Sequence, residues 1–359
     1  MRIFKRILKI LLAVILVLVI IVGSYVAYVF ISYSRIEDNK AIEVKGDAKA
    51  KTAQLGKTYT AVTYNIGFGA YTPDFTFFMD GGTQSWANSE QSVKDCTNGV
   101  ARTALNEKPD LVFYQEVDTD STRSYHIDEA EMLRKSFGGY NSAFAQNYHS
   151  AFLMYPLLQP HGASNSGLLT LSDMKINSSL RRSLPIATDI MKIVDLDRCY
   201  SVSRIDTDNG KALVVYNVHA SAYIKDPKIL ENQFKMLLGD MAGEYKKGNY
   251  VICGGDFNHD FTGDSRKKLN PDNNEEHSWA SPFPDEMLPD GISKAVDYSD
   301  GKLTPTTRNC DIPYSEKSFT VILDGFLTSD NVKVSYLKNI DTGFRYSDHN
   351  PVVMKFELE

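Results

Sequence analysis

The chain has 359 residues, 43% hydrophobic and 23% charged, enough apolar material for one large domain or two ordinary ones, and this excludes wholesale disorder. Arg2, Lys5, Arg6 and Lys9 are the only charged residues among the first 31; the other 35 basic residues face 45 acidic ones, a formal −10 for the rest of the chain. That balance argues against tight, non-specific nucleic-acid binding, which draws its affinity from neutralised phosphates; a nuclease is still allowed, because a bound metal supplies local positive charge.

Residues 1–9 form a basic N-terminus. Ile10 to Ile31 is an uncharged run of 22 residues rich in Leu, Ile and Val. At about 1.5 Å per helical residue it spans a bilayer core of about 30 Å. It is longer than the apolar region of a cleaved signal peptide, and Tyr25, Tyr28, Phe30 and Tyr33 crowd its far end like an interfacial belt. The expectation is a single-pass anchor in the cell membrane. The excess of basic residues before it places the N-terminus in the cytoplasm and the rest of the chain outside. Residues 34–57 are polar and read as a linker, with a terminal strand or helix packed on the domain as the alternative. The domain is expected over 58–359.

Within it, Tyr59–Tyr64 reads as a strand that runs into Asn65-Ile-Gly67, and 73–99 as loop. A short helix is predicted over Val100–Glu107, stopped by Lys108-Pro109. Asp110–Gln115 is an apolar strand that delivers Glu116. A helix over 126–138 and a strand over Gly167–Ser172 follow. Lys211–Asn217 is a strand leading to His219, Lys228–Tyr245 has helical periodicity, and Asn249–Gly254 leads to Gly255-Asp-Phe-Asn258. Residues 262–318 read as a long polar loop. Phe319–Leu323 delivers Asp324, and 332–337 and 352–358 close the chain as strands. Helices and strands mix without the strict alternation of a doubly wound sheet, so the fold class is α/β or α+β.

Cys96, Cys199, Cys253 and Cys310 form no C-x-x-C pair, which removes a zinc knuckle or thioredoxin motif. Cys253 sits in an apolar run and reads as core. The other three leave both free thiols and one disulfide pair open.

The chemistry lies in a repeated pattern: a strand ends and an Asn, Asp, Glu or His follows. It recurs at Asn65, Glu116, His219, Asp256 with Asn258, Asp324, and Asp348 with His349. Taken singly, each has an ordinary role as a turn former, a strand cap or a core histidine. Together they assemble a site, because strand ends converge on one edge of a sheet. Carboxylates with amide carbonyls are hard donors that suit Mg²⁺, with Mn²⁺ or Ca²⁺ possible, and too few histidines cluster for zinc. A histidine held by a carboxylate takes a proton from water.

Thr63-Tyr-Asn65-Ile, Gln115-Glu116-Val, Asn217-Val-His219, Gly255-Asp-Phe-Asn258, Leu323-Asp324-Gly-Phe and Ser347-Asp-His-Asn-Pro351-Val, in that order, resemble the endonuclease/exonuclease/phosphatase superfamily. The resemblance spans nearly all of 59–359. It implies a four-layer sandwich of two packed sheets flanked by helices. It implies that Glu116, Asn65 and Asp348 hold the metal and that His349, oriented by Asp324, is the base. Asp256 and Asn258 would then position water and phosphate, and His219 would bind phosphate and serve the leaving group. Asn217, Arg181 and Arg182 are further substrate-binding candidates, and Tyr148 and His149 weaker ones. The sequence departs from the common pattern in Ala220-Ser221 after His219, and in the long aromatic segments 71–99 and 141–165. The implied activity is phosphodiester hydrolysis, on nucleic acid or a phospholipid head group, by a monomer. A phosphomonoesterase for sugar or inositol phosphates and an inactive surface-binding module are the alternatives.

Overall fold

The computed structural model describes residues 2–48, 52–188, 192, 196–222, 226–272, 278–296 and 303–359. The first element, α1 (Arg2–Ser32), is a continuous helix of 31 residues. It is long and apolar enough to cross a membrane, and none of its apolar window is buried against the rest of the protein; a signal sequence near an N-terminus meets the same test.

With strands numbered in chain order, two seven-stranded sheets follow. One runs β1 (Lys40–Ile42), β7 (Ser178–Ser183), β8 (Cys199–Asp206), β9 (Ala212–His219), β10 (Tyr250–Asp256), β14 (Asp324–Ser329), β11 (Ile292–Ala295). The other runs β15 (Val332–Asn339), β16 (Val352–Leu358), β3 (Tyr59–Asn65), β4 (Leu111–Asp118), β6 (Asn165–Ser172), β5 (Asn141–His149), β2 (Val44–Lys45). A short ribbon pairs β12 (Thr307–Arg308) with β13 (Thr320–Val321).

The two-residue period of the strands sorts their side chains into layers. Tyr59 and Ala61 of β3, Leu111 and Phe113 of β4, Leu213 and Val215 of β9, and Tyr250 and Ile252 of β10 meet between the sheets. Their neighbours point outward. Val62, Tyr64, Val112 and Tyr114 pack under α2 (Glu90–Asn106) and α3 (Glu129–Ser136), which bring Val100, Ala104, Leu133 and Phe137. Val214, Tyr216, Val251 and Cys253 pack under α4 (Pro227–Lys246), which brings Phe234, Leu237, Leu238 and Met241. Each Val, Leu, Ile, Phe or Met among them contributes about 1.5–3 kcal/mol by burial. The result is the expected helix–sheet–sheet–helix sandwich.

Several expectations are corrected. Residues 34–57 are not a free linker: β1 adds antiparallel to β7 in one sheet and β2 to β5 in the other, so 40–45 clips both sheets. Arg35 Nε donates to Asp197 at 3.0 Å, and Ala53 bridges to Thr207; residues 49–51 of that stretch lie outside the described residues. The helix expected from Val100 begins at Glu90, capped by Ser89, which accepts from Ser92 N at 3.0 Å. The segment 141–165 contains β5, and β7 and β8 were not expected at all. The polar stretch 262–318 contains β11, β12 and a short helix over Ser265–Leu269; its residues 273–277 and 297–302 lie outside the described residues. All four cysteines are free and buried.

Candidate active site

Pairing between strands builds the site. Asp256, last in β10, stands opposite His219, last in β9, and opposite Asp324, first in β14. Asp324 therefore opens a strand rather than following one. In the other sheet Asn65 ends β3 opposite Gln115, and His349, just before β16, bridges to Thr307 of β12.

His349 Nδ1 lies 2.8 Å from Asp324 Oδ2 and 3.1 Å from Thr307 Oγ1. Its other nitrogen, Nε2, lies 3.8 Å from Asp256 Oδ2. Burial alone would lower the His349 pKa, but Asp324, Asp348 and Asp256 outweigh it and raise it well above the ordinary value. Burial and the Asp324 charge push Asp256 up to about 7. Burial, reinforced by Arg198 and His349, holds the His219 pKa well below the usual range, so this ring is neutral. Asn258, at φ +50, donates its backbone N–H to Asp256 Oδ1 at 2.8 Å and its side-chain amide to Ala220 O at 2.8 Å.

Glu116 lies in a bulge of β4, between Tyr114 and Val117, with φ +54. A bulge re-aims a side chain, here into the cavity. Asn65 Nδ2 donates to Glu116 Oε1 and to Asp256 Oδ2, each at 3.1 Å, while its Oδ1 accepts from Gly67 N at 3.0 Å. Asn65 thus braces two carboxylates with its N–H group. Gly67, at φ +53, lets Asp348 approach: a Cβ there would sit 2.7 Å from Asp348 Oδ1. Burial, with a further contribution from Glu116, raises Asp348 to about 6. Glu116 and Asp348 are hard oxygen donors whose mutual repulsion a divalent cation would relieve, so the donor set fits such an ion. Asp256, Asp324 and His349 also place candidate ligand atoms within 4.8 Å of one another. The 2.8 Å bond between His349 and Asp324 already engages two of those groups with each other.

A cavity of about 620 Å³ opens over these residues, lined also by Phe68, Tyr71, Tyr148, Arg123, Arg198 and Arg308. Arg198 and Arg308 escaped the sequence reading because the strands they adjoin or lie in, β8 and β12, were not expected. Arg308 Nε and Nη1 and Arg198 Nε are buried without a hydrogen-bond partner among the described residues, as are His219 Nδ1 and Asp324 Oδ1. Unsatisfied donors on cavity-lining cations call for an explanation, and an anion in the cavity matches their charge. Arg123 differs: it bonds Asp118 through Nε at 3.0 Å and Nη2 at 2.9 Å and lies 3.7 Å from the centre of the Phe68 ring. Burial and the Asp118 charge raise Glu129, whose Oε2 accepts from Asp118 N at 2.8 Å, well above the usual carboxyl range.

The other arginine candidates lie elsewhere. Arg181 is buried in β7 and donates to the carbonyls of Gln146 at 2.7 Å and Asp197 at 2.7 Å. Arg182 pairs with Asp38 and Asp240. Asn217 lies beneath the site, donating to Tyr114 O at 3.1 Å and accepting from Gln115 at 2.8 Å, and so ties one sheet to the other. Tyr148 lines the cavity; His149 is not among the lining residues.

The profile of the Endonuclease/Exonuclease/phosphatase family matches residues 62–349. No curated protein matches in sequence. Among solved structures, an endonuclease/exonuclease/phosphatase from Beutenbergia cavernae DSM 12333 aligns with a TM-score of 0.55 at 15% identity, over 84% of this chain and 72% of that one. ANGEL2, described as a 2′,3′-cyclic phosphatase in complex with adenosine-2′,3′-vanadate, aligns at 0.56 and 16% identity, over 91% and 100%. TDP2 from D. rerio, complexed with a single-strand DNA product, aligns at 0.52 and 14%, over 84% and 99%. At these identities the likeness is one of fold.

Proposed function

From the premise that the chain belongs to the Endonuclease/Exonuclease/phosphatase family, whose members hydrolyse phosphoester bonds, we propose a metal-assisted phosphodiesterase. We place it on a membrane anchor, α1, with the catalytic domain outside the cell. One observation carries the phosphoester reading. Arg198, Arg308 and His219, each with a buried polar atom that lacks a hydrogen-bond partner among the described residues, line the same cavity as Glu116, Asp256, Asp348 and His349. The fold does not choose the substrate, since a cyclic phosphatase and a DNA-bound relative share it.

Glu116 and Asp348 would hold the ion, Mg²⁺ with Mn²⁺ or Ca²⁺ as substitutes. Bound there, it would supply positive charge against the phosphate oxygens. Arg198 and Arg308 bind the phosphate through their free N–H groups. Water sits between His349 Nε2 and Asp256 Oδ2. It attacks phosphorus in line with the leaving oxygen, and His349 takes its proton. Asp324 holds the imidazole through Nδ1 and stabilises the imidazolium that forms. Neutral His219 donates a hydrogen bond to the phosphate and the departing oxygen. The carboxylate field favours a proton on His349; the charge of an ion held by Glu116 and Asp348 would offset that field and favour the neutral ring that acts as the base.

The test is hydrolysis of bis-p-nitrophenyl phosphate and p-nitrophenyl phosphate by the full chain in detergent with Mg²⁺. Faster turnover of the diester, abolished by EDTA and by His349→Ala, is the expected result. Preference for the monoester would replace this reading with a phosphomonoesterase. Turnover that survives both EDTA and His349→Ala would overturn the mechanism.

A further inference from the structure

Between β5 and β6 the chain leaves its sheet as a hairpin arm that the mechanism does not use. Ser150 N donates to Ser164 O at 3.0 Å, Leu153 and Gly162 exchange both backbone bonds at 3.0 Å, and His161 N donates to Tyr155 O at 3.1 Å. A backbone that bonds internally is the condition for entering an apolar medium. Residues 151–160 carry no charge. Phe152, Met154, Tyr155, Leu157 and Leu158 are 38%, 45%, 70%, 80% and 102% exposed. Outside α1, the other exposed large apolar residues among those described are scattered singly, so this run is a patch that calls for a covering surface.

Two observations identify that surface. The first is contact with α1. Tyr25 Oη donates to Phe152 O at 3.2 Å and accepts from Met154 N at 2.9 Å, and Tyr28 Oη accepts from Phe152 N at 3.1 Å. With Lys9 at the cytoplasmic boundary, a 1.5 Å rise puts Tyr25 about 24 Å and Tyr28 about 28 Å across an apolar layer of about 30 Å. The hairpin meets the helix within about one turn of the outer boundary. The second is contact with the cavity. Tyr155 packs 5.9 Å from Phe78, and His161 packs 6.2 Å from Phe77 and 5.8 Å from Phe78. Phe77, Met79 and His161 line the cavity. Ser85 Oγ and Trp86 Nε1 fasten the returning arm of the hairpin at Gln159 O, 2.6 Å, and Pro160 O, 2.7 Å.

We propose that the hairpin tip seats in the outer leaflet and that the cavity takes the phosphodiester of a phospholipid from that leaflet. This rests on the phosphodiesterase reading and on the outward anchor. The phosphate of a lipid lies just above the apolar boundary, and His161, three residues past Leu158 on the same hairpin, lines the cavity that would receive it. The formal −10 of the chain beyond α1 repels a polyanion more than a single head-group phosphate. Water supplies a hydroxyl to phosphorus and a proton to the leaving alkoxide, so one P–O bond forms as one breaks.

The experiment uses the full chain with Mg²⁺ in vesicles of phosphatidylcholine, phosphatidylglycerol and sphingomyelin, with bis-p-nitrophenyl phosphate as the soluble control. Leu157→Glu with Leu158→Glu is expected to lower lipid turnover about tenfold, from the lost apolar burial, and to leave soluble-ester turnover unchanged. Leu158→Trp is expected to add fluorescence that lipids spin-labelled near the head group quench. An unquenched Trp, or lipid turnover unchanged by the two glutamates, would overturn the seating. Cleavage of the soluble ester but of no vesicle lipid would overturn the lipid substrate and leave the phosphodiesterase standing. Cleavage of neither would remove both readings, and the quenching would still decide where the hairpin sits.

Discussion

His349 and Asp324 touch through one 2.8 Å bond, which in the proposed mechanism fixes the tautomer of the base. Asp324→Asn removes the charge and keeps the shape, so kcat should fall about 10²–10⁴-fold with little change in KM, as measured on a soluble phosphodiester. Arg181 tests the opposite case. Its side chain is buried among backbone carbonyls away from the cavity, so Arg181→Met should lower stability by about 3–5 kcal/mol and leave KM unchanged, as read by denaturant unfolding and steady-state kinetics. The two residues show what the sequence reveals at this scale. Asp324, Asp256 and His219 were legible because each lies where an apolar strand begins or ends. Arg181-Arg182 looked like a phosphate site because two adjacent cations suggest an anion, yet both lie on β7 with carboxylate partners supplied from far away, Asp197 and Asp38. Arg198 and Arg308 carry the orphaned donors and were missed, because only tertiary packing says which arginines lack a partner.

At the scale of elements, the wall of the cavity is sensitive to acid. Burial, helped by the nearby Arg123 and opposed by Asp118, lowers His161 to about 4. The unfolded chain therefore binds a proton at this residue between pH 6.5 and 4 and the folded chain does not. Stability from His161 is present above pH 6.5 and is lost as pH falls toward 4, by about 2 kcal/mol at pH 5. His161→Gln should shrink the loss of stability between pH 7 and pH 5 relative to the parent chain, as measured by denaturant midpoints at both values. The first three turns of α2 show why element boundaries were harder to read than element types. Glu90–Gly99 is polar and contains Thr97, Asn98 and Gly99, poor helix formers, so periodicity began only at Val100. Gly99 is explained by its surroundings: a Cβ there would lie 2.3 Å from the Tyr346 ring. Likewise β7, Ser178–Ser183, carries too few apolar residues to read as a strand, and its pairing with β8 and β1 is what makes it one.

At the scale of the molecule, β3, β4, β9 and β10 were readable in advance as apolar strands, while the two-sheet core they build was implied by the family resemblance and not by their pattern. What was not readable is where the domain begins, because two- and three-residue strands leave no periodic trace. The clip at 40–45 has a measurable effect. A chain starting at Ser34 keeps β1, β2 and the Arg35–Asp197 pair, and one starting at Thr58 loses all three. The shorter chain should melt several degrees lower, as followed by circular dichroism. The same clip leaves very little slack between Ser32, where α1 ends, and Lys40, where β1 begins, and Arg35 and Ile36 within that gap are already bonded to Asp197. A domain held this way cannot swing out into solution to search a volume. On the anchor proposed above it would patrol a plane, so the quantity governing its encounters would be the areal density of substrate beneath it, and diluting the surrounding solution would leave its rate untouched while diluting the membrane would not.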